Sequence, residues 1–302
     1  MDSATLQKQI CRLKDSLGAV ILAHNYQRPE VQEIADFCGD SLELARRSTD
    51  LTAEMIVFCG VRFMAETAVL LNPDRPVLLP EEGALCPLAA QIDPPTLQEW
   101  KDRYPGLPVI CYVNSTVDVK AHSDILCTSA NAVAVVESLN SDGVIFIPDG
   151  NLGHYISTQT EVTVISYPGN CYLHDRITLR EIETARHDHP AAQVLVHPEC
   201  RPEIVAVADA VLSTAGMIRY AQTTDANELI IATEIGLLYQ LRKRVPGKQF
   251  HTVGDGPTCR PMKLTTLDSV LRILQHQQPV ISVPSAMRPG ALRALQRMLA
   301  VT

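Results

Sequence analysis

Three cysteines carry the first chemical signal in this 302-residue chain: Cys86, Cys171 and Cys259 recur at intervals of 85 and 88 residues. Such intervals are too long for one metal-binding loop and match the size of a small α/β unit. Two other sets of residues keep the same step. Apolar runs end in His24-Asn25-Tyr26, in Tyr112-Val113-Asn114 and in His197-Pro198-Glu199, ends that lie 88 and 85 residues apart. Shorter runs end in hydroxyl residues at expected helix starts: Ser41 in Gly-Asp-Ser-Leu, Ser129 in Thr-Ser-Ala-Asn, and Ser213 with Thr214 in Ser-Thr-Ala-Gly. Three markers on one spacing indicate an internal threefold repeat.

Structural zinc normally takes four ligands, commonly from paired Cys-x-x-Cys loops, and the chain contains no such pair. A 4Fe-4S cluster held by three cysteines keeps one iron open, and an open iron can bind substrate and act as a Lewis acid in dehydration. A cluster for electron transfer would usually have every iron ligated from a compact motif, so three remote cysteines favour chemistry at the cluster. His197 and Glu199, two apart at a strand end, are expected to share a face and to act as a carboxylate base with its orienting imidazole. Tyr26, Tyr112 and His24 are available for further proton transfers, and His174 falls three residues after Cys171. Helix starts at Ser41, Ser129 and Ser213-Thr214, with Asn114, offer hydroxyl and N–H donors to an anionic substrate.

Each assignment has an ordinary rival. A lone cysteine is usually a small core residue, a strand-end His or Tyr a packed one, and a helix-start Ser only a cap. Cys11, Cys38, Cys59, Cys111, Cys127 and Cys200 are read as core, and Arg242-Lys243-Arg244 as a solvated helix face.

The elements that must position these residues follow from periodicity. Leu6, Ile10, Leu13 and Leu17 predict a helix over 5–17 stopped by Gly18. Continuous apolar runs at 19–23, 55–61 and 76–79 predict strands buried on both faces, alternating with helices at 31–37, 42–49 and 64–70. The plan repeats with strands at 109–113, 125–128, 144–147 and 162–166, then at 193–197, 210–213, 228–233 and 250–253. A helix over 266–275, a strand over 280–283 and a helix over 290–299 close the chain. The expected fold class is α/β: three αβα units related by a pseudo-threefold axis, each with a four-stranded, mainly parallel sheet, around a central active site. The units are expected at 1–93 (joined by 279–302), 94–176 and 177–278.

A hydrophobic fraction of 46% supports a sizeable core. The net charge of -8 argues against nucleic-acid or anionic-membrane partners. The N-terminus lacks a signal-peptide pattern and no apolar run approaches a membrane span, so a cytoplasmic location is expected, with the nine cysteines as thiols or ligands.

Taken together, His24-Asn25-Tyr26-Gln27, Gly39-Asp40-Ser41-Leu42, Tyr112-Val113-Asn114-Ser115, Thr128-Ser129-Ala130-Asn131, His197-Pro198-Glu199-Cys200, Ser213-Thr214-Ala215-Gly216, Ala232-Thr233-Glu234 and Cys259 with Met262-Lys263 closely resemble the quinolinate synthases, from about residue 20 to about residue 270. The resemblance implies a three-cysteine 4Fe-4S cluster and condensation of iminoaspartate with dihydroxyacetone phosphate to quinolinate in NAD biosynthesis. An aspartate oxidase is then a possible supplier of iminoaspartate. Cys259 is followed by Arg260, Pro261 and Met262, which resembles the shorter class without a Cys-x-x-Cys grouping. The competing reading is a non-catalytic sensor whose cysteines hold a cluster or another metal.

Overall fold

In the computed structural model, which describes residues 2–49 and 51–301, the strand-forming runs build three four-stranded sheets with one shared order. The first contains β1 (Ala19–His24), β2 (Phe37–Gly39), β3 (Met55–Cys59) and β4 (Val77–Leu78), arranged β2-β1-β3-β4. The second repeats it as β6-β5-β7-β8, from β5 (Val109–Tyr112), β6 (Ile125–Cys127), β7 (Gly143–Ile147) and β8 (Thr163–Ser166). The third is β10-β9-β11-β12, from β9 (Gln193–Val196), β10 (Ala210–Val211), β11 (Glu228–Ala232) and β12 (Gln249–Thr252). All pairings between these strands are parallel. Every residue of β3 and β7 is buried, as covered parallel sheets require. In each unit the strand order reverses between the first and third strands. The crevice at that switch point, outside the strands' carboxyl ends, is where open α/β sheets bind ligands.

A fourth repeat marker becomes visible only with these contacts. Asp36, Asp124 and Asp209 accept the backbone N–H of Ile21, Val109 and Val194, at 2.8, 2.8 and 2.7 Å. Each pair is 15 residues apart, and each aspartate also donates its own N–H to the same residue's carbonyl, at 2.9, 3.0 and 2.9 Å. The aspartate thus satisfies the first strand where the second begins, fixing the register of both.

The Thr-Leu pairs Thr5-Leu6, Thr96-Leu97, Thr178-Leu179 and Thr266-Leu267, which also recur along the sequence, are not equivalent positions. Asp2 and Asp93 cap the helices Ser3–Ser16 and Pro94–Arg103 by accepting from Thr5 and Thr96, whereas Thr178 and Thr266 are themselves the caps of Leu179–Asp188 and Leu267–His276. Leu179 is accordingly 37% exposed, and the inward position falls to Ile182.

Two elements differ from expectation. The helix expected over 31–37 is Pro29–Ile34, and Phe37 belongs to β2. Residues 280–283 form no strand: Val280 makes a single antiparallel bridge to Leu78, because Pro279 and Pro284 lack the N–H groups a ladder needs.

We propose the unit boundaries at 93, 176 and 278, with cover shared across them. The helix Leu267–His276 packs on Ser3–Ser16 of the first unit. The last helix, Arg288–Ala300, packs on Val117–Ala121 and β6 of the second unit and also touches Arg62–Leu71 of the first. Met1 and Thr302, at the outer ends of these proposed ranges, lie outside the described residues. Lys120 is fully buried at the seam of units one and two, its ammonium 3.3 Å from both the Phe63 carbonyl and the Thr67 hydroxyl. Burial lowers its pKa to about 8. No helix among the described residues is long and apolar enough to cross a membrane.

Candidate active site

The carboxyl ends of the three sheets open on one cavity of about 670 Å³, counted with its mouth. His24 reaches it from the end of β1 and Tyr26 from the turn that follows, Tyr112 and Asn114 from β5 and its following turn, and His197 and Glu199 from the turn after β9. These are the first strands of the three units, so the switch point of each sheet delivers the polar residues. Cys86, Cys171 and Cys259 line the same cavity from the loops after β4, β8 and β12, together with His174. Ser41, Ser129 and Thr214 complete the expected set, while Ser213 does not line it.

Glu199 is the hub. His197 and Glu199 lie beyond β9 in a turn closed by the Cys200 N–H to the His197 carbonyl, so turn geometry and not strand alternation aims them together. The orienting imidazole also differs from expectation. His174 Nδ1 is 2.7 Å from Glu199 Oε2, against 3.4 Å for His197 Nδ1, which accepts the Glu199 backbone N–H at 3.3 Å. A His197 Nδ1 used as acceptor cannot also donate to the carboxylate. His174 stacks on His197 with centroids 4.5 Å apart, and its Nε2 lies 2.8 Å from Thr233 Oγ1. Thr233 Oγ1 is in turn 2.6 Å from the Tyr26 hydroxyl. With the Nδ1 proton given to Glu199, Nε2 accepts from Thr233 and Thr233 accepts from Tyr26, a one-directional chain from phenol to carboxylate. Asn114 Nδ2 approaches Glu199 Oε1 at 3.4 Å, and the Tyr112 hydroxyl bonds the same carboxylate.

Burial opposes the Glu199 charge, but His197, His174 and the His174 and Tyr112 hydrogen bonds overcome it and hold the carboxyl at about 2. Burial pushes Tyr26 and Tyr112 well above the usual phenol value, with the Glu199 charge adding to it. Burial also lowers His24 and His197 to about 3. At neutral pH the cavity therefore holds an ionised carboxylate, two protonated phenols and two neutral imidazoles.

The histidines have a consequence for stability. Between pH 6.5 and about 3 the unfolded chain binds protons on His24 and His197 that the folded chain does not. Folding stability is thus complete above pH 6.5 and falls with acidification by about 1 kcal/mol per pH unit for each histidine. Denaturant titrations from pH 7 to 4 should show this slope, and His197→Asn should reduce it. An unchanged slope in the variant contradicts a neutral buried His197.

Burial raises Cys86 to about 12 and Cys259 to about 11, and lifts Cys171 well above the ordinary thiol value. Three partly buried thiols from three units around one cavity form a donor set that a multiply charged iron–sulfur cation would ionise and hold together. The loops bearing two of them are anchored alike. The Cys171 N–H donates to Asp149 at 3.1 Å and the Cys259 N–H to Glu234 at 3.1 Å. Both carboxylates stand two residues past the third strand of their unit, where the first unit has Val61. Cys200 is buried in the third unit's core, its sulfur 3.8 Å from the Ala232 carbonyl, and does not line the cavity.

The three helix-start serines separate into different roles. Asp40, not Ser41, accepts the N–H groups of Leu42 and Glu43 at 3.0 and 2.9 Å, and Ser129 precedes the helix Ala132–Ser138 by a turn held by Asn131. Ser213 alone is a cap, accepting the Gly216 N–H at 3.2 Å and donating to Asp40 at 3.3 Å. Ser41→Ala and Ser129→Ala should each weaken product binding by about 1 kcal/mol, roughly fivefold, at unchanged stability. Ser213→Ala should instead lose about 1 kcal/mol of stability. Calorimetry of product binding beside thermal unfolding checks the division, and a Ser41→Ala variant that binds normally but melts early would reverse it.

Sequence reading passed over the roles of Thr233, Glu234, Asp149 and Asn25, whose side chain donates to Thr214 Oγ1 at 3.0 Å. Thr233 and Glu234 had a signal, lying one and two residues past Ala232, the last residue of β11. Asp149 had none beyond its place after a strand.

A family model described as Quinolinate synthetase A protein matches residues 8–300. The chain is 54% identical over 302 residues to a quinolinate synthase of Dehalococcoides mccartyi, covering 100% of both chains. It is 52% identical over 300 residues to one of Methanoregula boonei, covering 99% of each, and 50% identical over 293 residues to one of Thermodesulfovibrio yellowstonii, covering 97% of each. With three like sheets opening on one site and a match that spans nearly the whole sequence, the chain belongs to the quinolinate synthetase A family.

Proposed function

We propose that the chain is the quinolinate synthase of NAD biosynthesis, joining iminoaspartate and dihydroxyacetone phosphate with loss of phosphate and two waters. The observation that carries the reading is the meeting of Cys86, Cys171 and Cys259 with the Glu199–His174–Thr233–Tyr26 chain in one cavity. Cys86, Cys171 and Cys259 would hold a 4Fe-4S cluster with one open iron. When bound, that cluster supplies a Lewis acid for removal of hydroxide.

The chain's own residues supply the proton traffic. Iminoaspartate reacts as its enamine, so a base must take a proton from carbon. Glu199 is ionised for this and held by the His174 Nδ1 proton. Tyr26 and Tyr112 keep their protons and can donate to oxygen as it leaves or as a carbonyl tautomerises to an enol. Thr233 orients the Tyr26 hydroxyl within the hydrogen-bond chain that ends at Glu199. Among the described residues that line the cavity none is Lys or Arg, so anion binding falls to neutral donors. Thr214 opens the ten-residue helix Thr214–Thr223, whose N-terminus favours a carboxylate or phosphate. The Asn114 carbonyl oxygen is buried with no protein partner and can accept from substrate nitrogen or hydroxyl.

Nine unpaired cysteines suit a reducing compartment, and we place the enzyme in the cytoplasm, with an aspartate oxidase supplying the labile imine. A non-catalytic sensor finds no support in the family match. The test is an anaerobic assay of iron-loaded protein with both substrates. Quinolinate formation is expected, and iron-loaded protein that turns over neither substrate would sink the reading.

A further inference from the structure

Away from the cavity, the third unit carries a second constellation of ligand-type side chains. His189 stands at the end of the helix Leu179–Asp188, Glu228 is the first residue of β11, and His251 lies in β12. The parallel register pairs Ile230 with His251, and Glu228 precedes Ile230 by two, so Glu228 and His251 project from one face of adjacent strands. His251 Nε2 is 3.3 Å from Glu228 Oε2, and His189 Nδ1 is 3.9 Å from the same oxygen. The two imidazoles stack with centroids 3.4 Å apart and planes 15° from parallel. One donor atom from each residue lies within 4.8 Å of the others.

We propose that His189, Glu228 and His251 form a binding site for a divalent transition metal, zinc by donor type, separate from the cysteine site. Two imidazole nitrogens and one carboxylate oxygen are a common zinc set that leaves a fourth position for water. Bonds of about 2.0–2.1 Å in a tetrahedral shell put neighbouring donors roughly 3.3 Å apart. The Glu228–His251 pair already has that separation on two rigid strands. His189 has to close on Glu228 by roughly half an ångström for the same shell, and its ring, stacked nearly parallel on His251, has to turn so that both in-plane lone pairs meet at the metal; it sits at a helix end, on no rigid strand. The side chains are 18% exposed at His251, 30% at Glu228 and 35% at His189, open enough for a metal to enter. His189 and His251 border a groove that also holds Tyr239 and Arg242, which gives the fourth position access to solvent. The trio lies at the end of β11 opposite Thr233 and Glu234, and none of its members lines the active cavity. A metal there would tie the helix Leu179–Asp188 to β11 and β12 and stabilise the third unit by binding its folded form alone.

The test is calorimetric titration of cluster-loaded protein, under anaerobic conditions, with zinc chloride as the probe. One zinc per chain is expected to bind at low-micromolar concentration or below, with iron content unchanged and the thermal midpoint raised. His251→Ala and Glu228→Gln should each weaken this binding by roughly tenfold or more and abolish the thermal shift. Quinolinate formation by both variants should match the parent, which also reports that they fold. His189→Gln supplies a third variant if either expresses poorly. Zinc binding that is absent below about 100 μM, or equally tight in the variants, overturns the proposal.

Discussion

Serine in place of Cys86, Cys171 or Cys259 is expected to reduce both bound iron and quinolinate formation to background, while Cys200→Ser retains both. A serine hydroxyl is harder to ionise than a thiol and ligates iron–sulfur clusters poorly. With one of three ligands gone, the remaining two cannot hold a cubane at its corner positions. Cys86, Cys171 and Cys259 line one cavity, and each comes from a different unit, so no neighbouring thiol can take over. Cys200 is the informative control. It is the nearest other cysteine in sequence to Glu199, yet its sulfur points to the Ala232 carbonyl inside the third core, where a serine hydroxyl could donate instead. Iron analysis and absorbance of anaerobically reconstituted protein check the result. Iron retained by any of the three variants, or lost by Cys200→Ser, would sink the ligand assignment.

Glu199→Gln is expected to lower the rate by roughly 10² or more with the iron content intact. The amide keeps the shape and can still accept from His174, but it cannot take a proton from carbon. His174→Ala should cost more than His197→Ala, because His174 is the imidazole at 2.7 Å from the carboxylate and the one that continues to Thr233. His197, with Nδ1 occupied by the Glu199 backbone, acts mainly as a wall that stacks on His174. Single-turnover kinetics beside iron analysis would separate loss of chemistry from loss of the cluster. Near-parent turnover in Glu199→Gln would require another base, and equal losses in the two histidine variants would undo the ranking.

The 85 and 88 residue steps, and the apolar runs between them, mark a threefold repeat of parallel strands with one cysteine at the same point of each repeat, whereas the shared strand order came from the sheets themselves. Burial on both faces of a parallel strand leaves a continuous apolar run, and such runs are readable one strand at a time. The repeat also located His24, Tyr26, Tyr112, Asn114, His197 and Glu199 at strand ends, and all of them line the cavity.

What the linear pattern could not decide is which polar group addresses which. His197 is two residues from Glu199 and His174 is 25, yet His174 makes the 2.7 Å contact. Thr233 reads as the end of a strand until it is found between Tyr26 of the first unit and His174 of the second. Ser41, Ser129 and Ser213 look alike in sequence, but a neighbouring Asp40 caps one helix, Asn131 holds one turn, and only Ser213 caps its own helix. Burial of an apolar face is a property of one segment and its period, so the sequence by itself determines it. A hydrogen bond depends on distances of a few tenths of an ångström between groups far apart in the chain, and only the packing of three units against one another decides those.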